Sequence, residues 1–345
     1  MQFIRPQLSA APKFQRVSQR VSESRPFSTN KNVMHVPVLF GRDVKIMSYN
    51  AHNLGLDTSP RDNSAKSLYA RAQAILLEDP DVVAWQEVAS KQALEQLNQK
   101  YLKGQYPNVV VLNSNDPRGI HVGFMSKKAL KVVDTRTHTH LQNKAGEPVF
   151  KRDFLGVTFE TEAGYRFTVY NSHFKSMRGG EAQTMPVRLL EAQTGADIIK
   201  QQMLADPKAN IMVVGDLNTK PGPLGWPVLD ALSRRNESDP TYKLTEVLRP
   251  NDGSHWLPTW KGGKRENKLD YMYVNDAFKT AVKKAYVGGS FWKWPWKEAS
   301  DHVPVVSVVD TPDAVAKPVG TAGPTFAGKR QVPYPSVGTR LAVNA

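Results

Sequence analysis

The sequence predicts an α/β protein in which two mixed β-sheets pack face to face with helices outside them, in one domain over roughly residues 43–310. Two observations predict it. Short apolar runs with strand character alternate with segments of helical spacing. Several neighbouring strand-like runs are also joined only by turns, so they form hairpins, and a purely parallel open sheet does not accommodate them.

The elements follow in order. Val44-Lys-Ile-Met-Ser-Tyr-Asn50 alternates as a strand. A polar loop spans Asn53 to Ser67, and helical spacing over Leu68 to Leu77 is closed by Asp79-Pro80. Asp81 to Glu87 is the next strand. Lys91 to Leu102 is an amphipathic helix with Leu94, Leu97 and Tyr101 on one face. Asn108 to Leu112 and His121 to Met125 form a strand pair around the polar loop 113–119, and Lys131 to Thr137 is a further strand. Arg152 to Glu160 and Tyr165 to His173 make a hairpin across the turn 161–164. A helix is expected from Pro186 to Leu204, with proline in its first turn. Ile211 to Gly215 is a buried strand, and Gly225 to Leu232 a short helix within a mixed region, 224–255. Leu269 to Val274, Ala281 to Val287 and Val303 to Val309 complete the strands.

Six of these strand boundaries carry polar residues able to do chemistry: Asn50, Glu87, His173, Asp216 with Asn218, Asp270, and Asp301 with His302. Each has a plain account of its own. Asn50 can cap a loop, Glu87 can start a solvated helix, and Asp301-His302 can be a turn. A carboxylate such as Asp270 inside an apolar strand needs a partner if buried. The plain account must hold separately at every site, so a shared pocket is the more economical reading. If the backbone stays extended past Gly215, Asp216 and Asn218 project to one face.

Carboxylates with Asn and His, and no thiolate, suit a hard cation held by oxygen, Mg²⁺ or Mn²⁺. Glu87 is the leading ligand and Asn50 offers a neutral oxygen beside it. His302 needs a carboxylate to orient it as a base or charged donor, and Asp270 is the candidate. Asp216 can align or deprotonate a water, while Asn218 and His173 can donate to a phosphate.

Ser48-Tyr-Asn50, Trp85-Gln-Glu87, Asn171-Ser-His173, Gly215-Asp-Leu-Asn218, Leu269-Asp-Tyr271 and Ser300-Asp-His302 resemble, in order and spacing, the successive motifs of the endonuclease/exonuclease/phosphatase superfamily, the deoxyribonuclease-I-like proteins. The resemblance runs over about residues 43–309. It implies a four-layer α/β sandwich and divalent-metal-dependent phosphoester hydrolysis. It assigns Glu87 to the metal with Asn50 and Asp301 nearby, gives Asp216 and Asn218 to the water and phosphate, and pairs Asp270 with His302. Histidine at position 173 is similar to the pancreatic-type deoxyribonucleases and sphingomyelinases, where abasic-site endonucleases usually carry Tyr. Asn115-Asp-Pro-Arg-Gly-Ile120 resembles a loop of the bacterial extracellular-type nucleases, which makes Arg118 a candidate phosphate clamp. Thr219-Lys220 after Asn218 departs from the inositol-phosphatase pattern of an aromatic and Arg.

Charge points to a polyanionic partner. Of the net +14 in 345 residues, residues 1–40 carry +5 and residues 311–345 carry +3, which leaves +6 between them. The first forty residues are expected to be a disordered basic arm, and the Pro/Gly-rich stretch 311–345 a disordered tail. Zero cysteines exclude disulfides, thiolate zinc sites and cysteine nucleophiles. No apolar run is long enough to span a membrane, and the first residues lack the apolar core of a secretory signal. A soluble monomer is expected, with the compartment left open.

Lys175 and Arg178, just after His173, are suited to a phosphodiester backbone; the alternative for both is a solvated loop. Phe291-Trp-Lys-Trp-Pro-Trp296 interleaves aromatics with lysine. It can stack on bases, dip into a lipid interface, or fold over the sheet edge as core. The leading expectation is an endonuclease acting on DNA, and on RNA as a second substrate, with little sequence preference. The alternatives are a sphingomyelinase-like or other phospholipid or sugar-phosphate hydrolase on the same fold, and a non-catalytic nucleic-acid-binding module.

Overall fold

Apolar residues at successive positions give each central strand two buried faces, and both faces find a layer to pack on. The computed structural model describes residues 42–233, 242–248 and 257–312. The basic arm expected over 1–40 and nearly all of the tail expected over 311–345 lie outside the described residues.

The chain runs β1 (Arg42–Leu54), α1 (Ala65–Glu78), β2 (Val82–Val88), α2 (Lys91–Tyr101), β3 (Asn108–Val111), β4 (His121–Ser126), β5 (Leu130–Arg136), β6 (Phe154–Thr161), β7 (Arg166–His173), α3 (Glu181–Ala205), β8 (Ile211–Asp216) and α4 (Trp226–Ser233). It continues with β9 (Leu244–Glu246), β10 (Trp260–Gly262), β11 (Arg265–Asn267), β12 (Asp270–Asn275), α5 (Asp276–Lys279), β13 (Val282–Val287), α6 (Trp296–Ala299) and β14 (Val305–Thr311).

Two six-stranded sheets result, ordered β13-β14-β1-β2-β4-β3 and β5-β6-β7-β8-β12-β9, with β10-β11 as a separate hairpin. Each large sheet has a single parallel pair near its middle, β1 with β2 and β7 with β8, and is antiparallel elsewhere. The inner faces meet through Val44, Ile46, Val82, Ala84 and Phe124 from one sheet and Val157, Phe167, Val169, Val214 and Met272 from the other. The outer face of the first sheet, with Met47, Tyr49 and Trp85, is covered by α1 and α2 through Ala70, Ala74, Ile75, Leu94 and Leu97. The outer face of the second, with Tyr170, Val213 and Tyr271, is covered by α3 and α4 through Ala192, Ala196, Ile199 and Leu229. This is the expected four-layer α/β sandwich.

A parallel pair ends both of its strands at one edge, and an antiparallel neighbour begins there. Asp216 therefore lies opposite His173 on β7 and opposite Asp270 on β12. In the other sheet Asn50 and Glu87 lie in the C-terminal parts of β1 and β2, and His302 precedes β14. One edge of the sandwich gathers all six sequence segments.

The α3 helix corrects an expectation. It begins at Glu181, so Pro186 lies inside it rather than in a first turn starting at 186. Proline removes one N–H from the ladder. Buried Arg188 holds the early turn instead, donating to the Glu181 carbonyl at 3.0 Å and to the Thr184 hydroxyl at 2.8 Å.

Candidate active site

Toward the shared edge the inter-sheet layer changes from apolar to polar. Val44, Ile46, Ser48 and Asn50 follow one another on the inner face of β1, as do Phe167, Val169, Asn171 and His173 on β7. Buried Gln86 donates to Asn171 Oδ1 at 2.7 Å and to Ser48 Oγ at 3.1 Å. Asn171 donates in turn to the carbonyls of Trp85 and Gly123 at 2.8 and 3.0 Å. These bonds tie one sheet to the other directly beneath the site. In the sequence Gln86 and Asn171 stand out only as parts of motifs; their identity as the cross-sheet tie needs the packed sheets.

Asp216 is the hub. Its Oδ1 accepts the Asn218 amide at 2.8 Å, and its Oδ2 accepts Asn50 Nδ2 at 3.1 Å. The same Oδ2 stands 3.6 Å from Nε2 of both His173 and His302. Nδ1 of His302 meets Asp270 Oδ2 at 2.8 Å. Glu87 Oε1 lies 3.8 Å from His173 Nε2, and Glu87 Oε2 accepts the Asn53 amide at 3.2 Å. The carboxamide of Asn50 presents nitrogen to Asp216, while its oxygen accepts the His52 amide at 3.0 Å.

Two backbone details aim these groups. By strand parity Glu87 would share the outer face with Trp85. Its φ of 58° and the register break between Trp85 and Val88 turn it to the cleft. Asn218 does not continue an extended strand, as alternation had predicted. β8 ends at Asp216 and Asn218 has a φ of 47°, so a turn bonded to the Asp216 carboxylate brings it to the cleft. Its Nδ2 donates to the Phe174 carbonyl at 3.1 Å.

Burial and neighbours set the charges. Burial pushes the Asp216 carboxyl up to about 7; His302 and the Asn218 amide draw it down, while Asp270 and Glu87 raise it further. For His302 burial acts downward, but Asp270 and Asp216 outweigh it and lift the imidazole to about 10. His173 is held well below the ordinary histidine range, first by burial and then by Arg152, Arg118 and His302. At neutral pH one histidine is therefore charged and the other neutral.

These residues open into a cleft of about 1060 Å³ lined by Glu87, Arg118, His173, Arg178, Asp216, Asn218, Asp301 and His302 among others. Arg118 is half-exposed and paired with Asp116 at 3.3 Å. Lys175 is not among the lining residues; its ammonium folds back to the Ser176 carbonyl at 3.1 Å. Lys175 matters here through its backbone. Its N–H donates to buried Glu191 at 2.8 Å, and the preceding Phe174 carbonyl accepts buried Arg152 at 2.9 Å. Arg152 is itself paired with Asp116 at 2.6 Å. This buried set grips the loop that follows His173. Its charged members are scattered in sequence and carry no local signal.

The far wall was missed from the sequence. It is the hairpin β10-β11, which places Trp260, Lys264, Arg265, Glu266 and Asn267 along the cleft. Gly262-Gly263 between two polar-aromatic stretches is the available signal, and Gly263 takes a φ of 62° at the turn. Trp260 Nε1 donates to Asp301 Oδ2 at 2.9 Å. In the aromatic stretch, Trp296 packs against the helical side of the first sheet, as the core reading required. Trp292 and Trp294 are 71% and 50% exposed.

A hard cation such as Mg²⁺ takes oxygen donors. Among the described residues no group of three or more His, Cys, Asp or Glu side chains stands ready to enclose a metal. Glu87 and Asp301 both line the cleft and offer carboxylate oxygen, while Asn50 beside them turns its nitrogen to Asp216 and its oxygen to the His52 amide. Mg²⁺ is held by one or two carboxylates when waters and a substrate phosphate complete its octahedron, so the residues fit.

Comparison with known proteins agrees with the geometry. A search of curated proteins by sequence returned no match. Among solved structures, truncated TDP2 of Caenorhabditis elegans is 18% identical, with a TM-score of 0.55 over 78% of this chain and 98% of its own. An endonuclease/exonuclease/phosphatase of Bacteroides vulgatus is 16% identical, with a TM-score of 0.58 over 78% of this chain and 99% of its own. The mannosyl-6-phosphatase Bt3783 of Bacteroides thetaiotaomicron is 15% identical, with a TM-score of 0.57 over 77% and 99%. At such identities the likeness is one of fold. The sequence model of the endonuclease/exonuclease/phosphatase family matches residues 61–286, well over half of the chain, and with the two-sheet sandwich and its polar edge this makes the protein a member of that family.

Proposed function

We propose that this protein is a divalent-metal-dependent phosphodiesterase that hydrolyses DNA with little sequence preference. The observation that supports this most is the line Asp270–His302–Asp216, with bonded or facing distances of 2.8 and 3.6 Å, ending beside Glu87 in a cleft edged by Arg118, Arg178 and Arg265. A divalent cation held by Glu87, with Asn50 and Asp301 beside it, would neutralise charge developing on a phosphate oxygen.

The protein groups do the rest. Asp216 orients the attacking water and takes its proton; a carboxyl raised to about 7 is matched to that task near neutral pH. Asn50 and the Asn218 amide fix the direction of that carboxylate. As the water oxygen bonds to phosphorus, the ester P–O bond opposite it breaks, and the departing oxygen takes a proton from solvent; charged His302, held by Asp270, donates Nε2–H to a phosphate oxygen as negative charge builds there. His173, kept neutral, faces the same centre from the second sheet. Backbone-directed contacts from Arg118 and Arg178 to flanking phosphates carry no base preference.

The test is a substrate panel of plasmid, single-stranded DNA, RNA, sphingomyelin vesicles and inositol phosphates, with Mg²⁺ or Mn²⁺. Nicked and linear plasmid should appear, and Glu87→Ala should lose at least about 10²-fold in rate. Plasmid left intact by the native chain in both metals would end the nuclease reading. A phospholipid-hydrolase reading draws on one observation, the exposure of Trp292 and Trp294. Vesicle hydrolysis lost on replacing those two residues would favour it.

A further inference from the structure

A second cleft, of about 800 Å³, lies on the other side of Asp301. It is lined by the loop before α1, the start of α1, the β10-β11 hairpin and α6. Its charge differs from that of the first. Arg61, Lys66, Arg71, Lys261 and Lys297 stand against Asp62, Glu298 and Asp301, an excess of two positive charges, whereas the first cleft, with charged His302 counted, sets six against five. Arg71 is fully buried, and its Nε has no hydrogen-bond partner among the described residues. Its terminal nitrogens donate to the carbonyls of Asp62 and His52 at 2.6 and 3.1 Å, so a guanidinium lies behind the wall of this cleft and adds positive charge there without touching what the cleft holds. Exposed Trp292 stands beside the cleft with the Lys261 ammonium over its ring, next to Phe291 in the cleft wall.

We propose that the second cleft is a strand track: it binds the phosphodiester backbone of a nucleic-acid strand continuing past the scissile phosphate, with Trp292 stacking an unpaired base. This rests on the nuclease reading of the first cleft and extends it to a polymeric substrate. The two clefts share Asp301, so a chain with regularly spaced phosphates can occupy both. Alternating cations and aromatic rings are how single strands are held without sequence preference. A bilayer meets the protein as a broad, flat surface, whereas this cleft is concave and places Arg61 and Lys297 along its walls, so the observations favour a strand over a membrane. Lys66 is paired with Glu298 at 3.0 Å, which leaves Arg61 and Lys297 as the informative positions.

The test compares the full-length chain with Arg61→Ala/Lys297→Ala and with Trp292→Ala, each in a Glu87→Gln background for binding. The probe is a fluorescent single-stranded oligonucleotide of about 12 nucleotides, a length within known single-strand site sizes. Loss of two phosphate contacts should flatten the slope of log affinity against log salt by about 1.4. Trp292→Ala should weaken binding about five-fold or more, the size of one base stack. In the active chain, kcat/KM for the oligonucleotide should fall in the double variant relative to bis(p-nitrophenyl) phosphate, which is large enough only for the first cleft. Unchanged affinity and salt slope in both variants would overturn the track. So would loss of sedimentation with anionic phosphatidylserine vesicles in the variants while oligonucleotide binding persists. Binding in the Glu87→Gln background needs no turnover, so an inactive native chain would sink the nuclease reading while the track is judged on its own.

Discussion

Single buried side chains set the chemistry of this edge, and their neighbours determine what each one can do. Asp270 has one oxygen on His302 and the other without a hydrogen-bond partner among the described residues. Asp270→Asn removes the charge that keeps His302 protonated and leaves its geometry nearly intact. Steady-state kinetics should show kcat lowered about 10²–10⁴-fold with KM little changed, the pattern of a lost transition-state interaction. A rise in KM alone would mean that Asp270 only shapes the binding surface. Glu191 tests burial by itself. Burial pushes its carboxyl up to about 8 from an ordinary 4.5, against the pull of the Lys175 amide, Arg152 and Arg188. The folded chain thus holds this proton more tightly than the unfolded one. The stabilisation is complete below 4.5 and is lost as pH rises to about 8. Glu191→Gln should therefore melt with the native protein at low pH and above it at pH near 9, as read by thermal denaturation. The opposite order would show that Glu191 is stabilised as a carboxylate.

Among the elements, the loop after β7 and the end of β8 depend most on tertiary support. The Asp116–Arg152 pair is almost fully buried and holds the Phe174 carbonyl. Asp116→Ala leaves a buried guanidinium without its carboxylate, a loss of about 3–5 kcal/mol for such pairs. Chemical denaturation should read it, and turnover should fall as well, because His173 and Asn218 both border the released loop. Gly215, with a φ of 139°, brings β8 against β7 so closely that a Cβ would overlap the Ser172 carbonyl. Gly215→Ala should lower the melting temperature by several degrees and misplace Asp216, the next residue. Normal activity in a destabilised Gly215→Ala protein would detach the strand contact from the site.

For the molecule as a whole, the apolar layers between and outside the sheets include none of the residues that would hold the cation. The fold and the proposed metal are therefore separable. EDTA should abolish plasmid cleavage, and Mg²⁺ should restore it, while the far-UV circular dichroism stays unchanged and the midpoint moves only slightly. Collapse of the dichroism on chelation would instead make the cation a folding element, as in small zinc domains.

Much of this was legible in the chain. Short apolar runs bounded by turn residues marked nearly every long strand, and helical spacing marked the helices over them, because a strand buried on both faces is apolar at successive positions. The polar residues at strand ends were equally visible, since Asn50, Glu87, His173, Asp216, Asp270 and His302 interrupt apolar runs at their last or first positions. What the sequence did not determine depends on backbone torsions and on contacts between distant segments. Parity alone would have turned Glu87 outward, and only a left-handed residue in a broken register brings it to the cleft. The β10-β11 wall, the Gln86–Asn171 tie and the Asp116–Arg152 clamp join residues tens of positions apart or lie in short polar stretches. Local pattern records neither, because the free energy that holds them comes from burial that exists only once both sheets have closed.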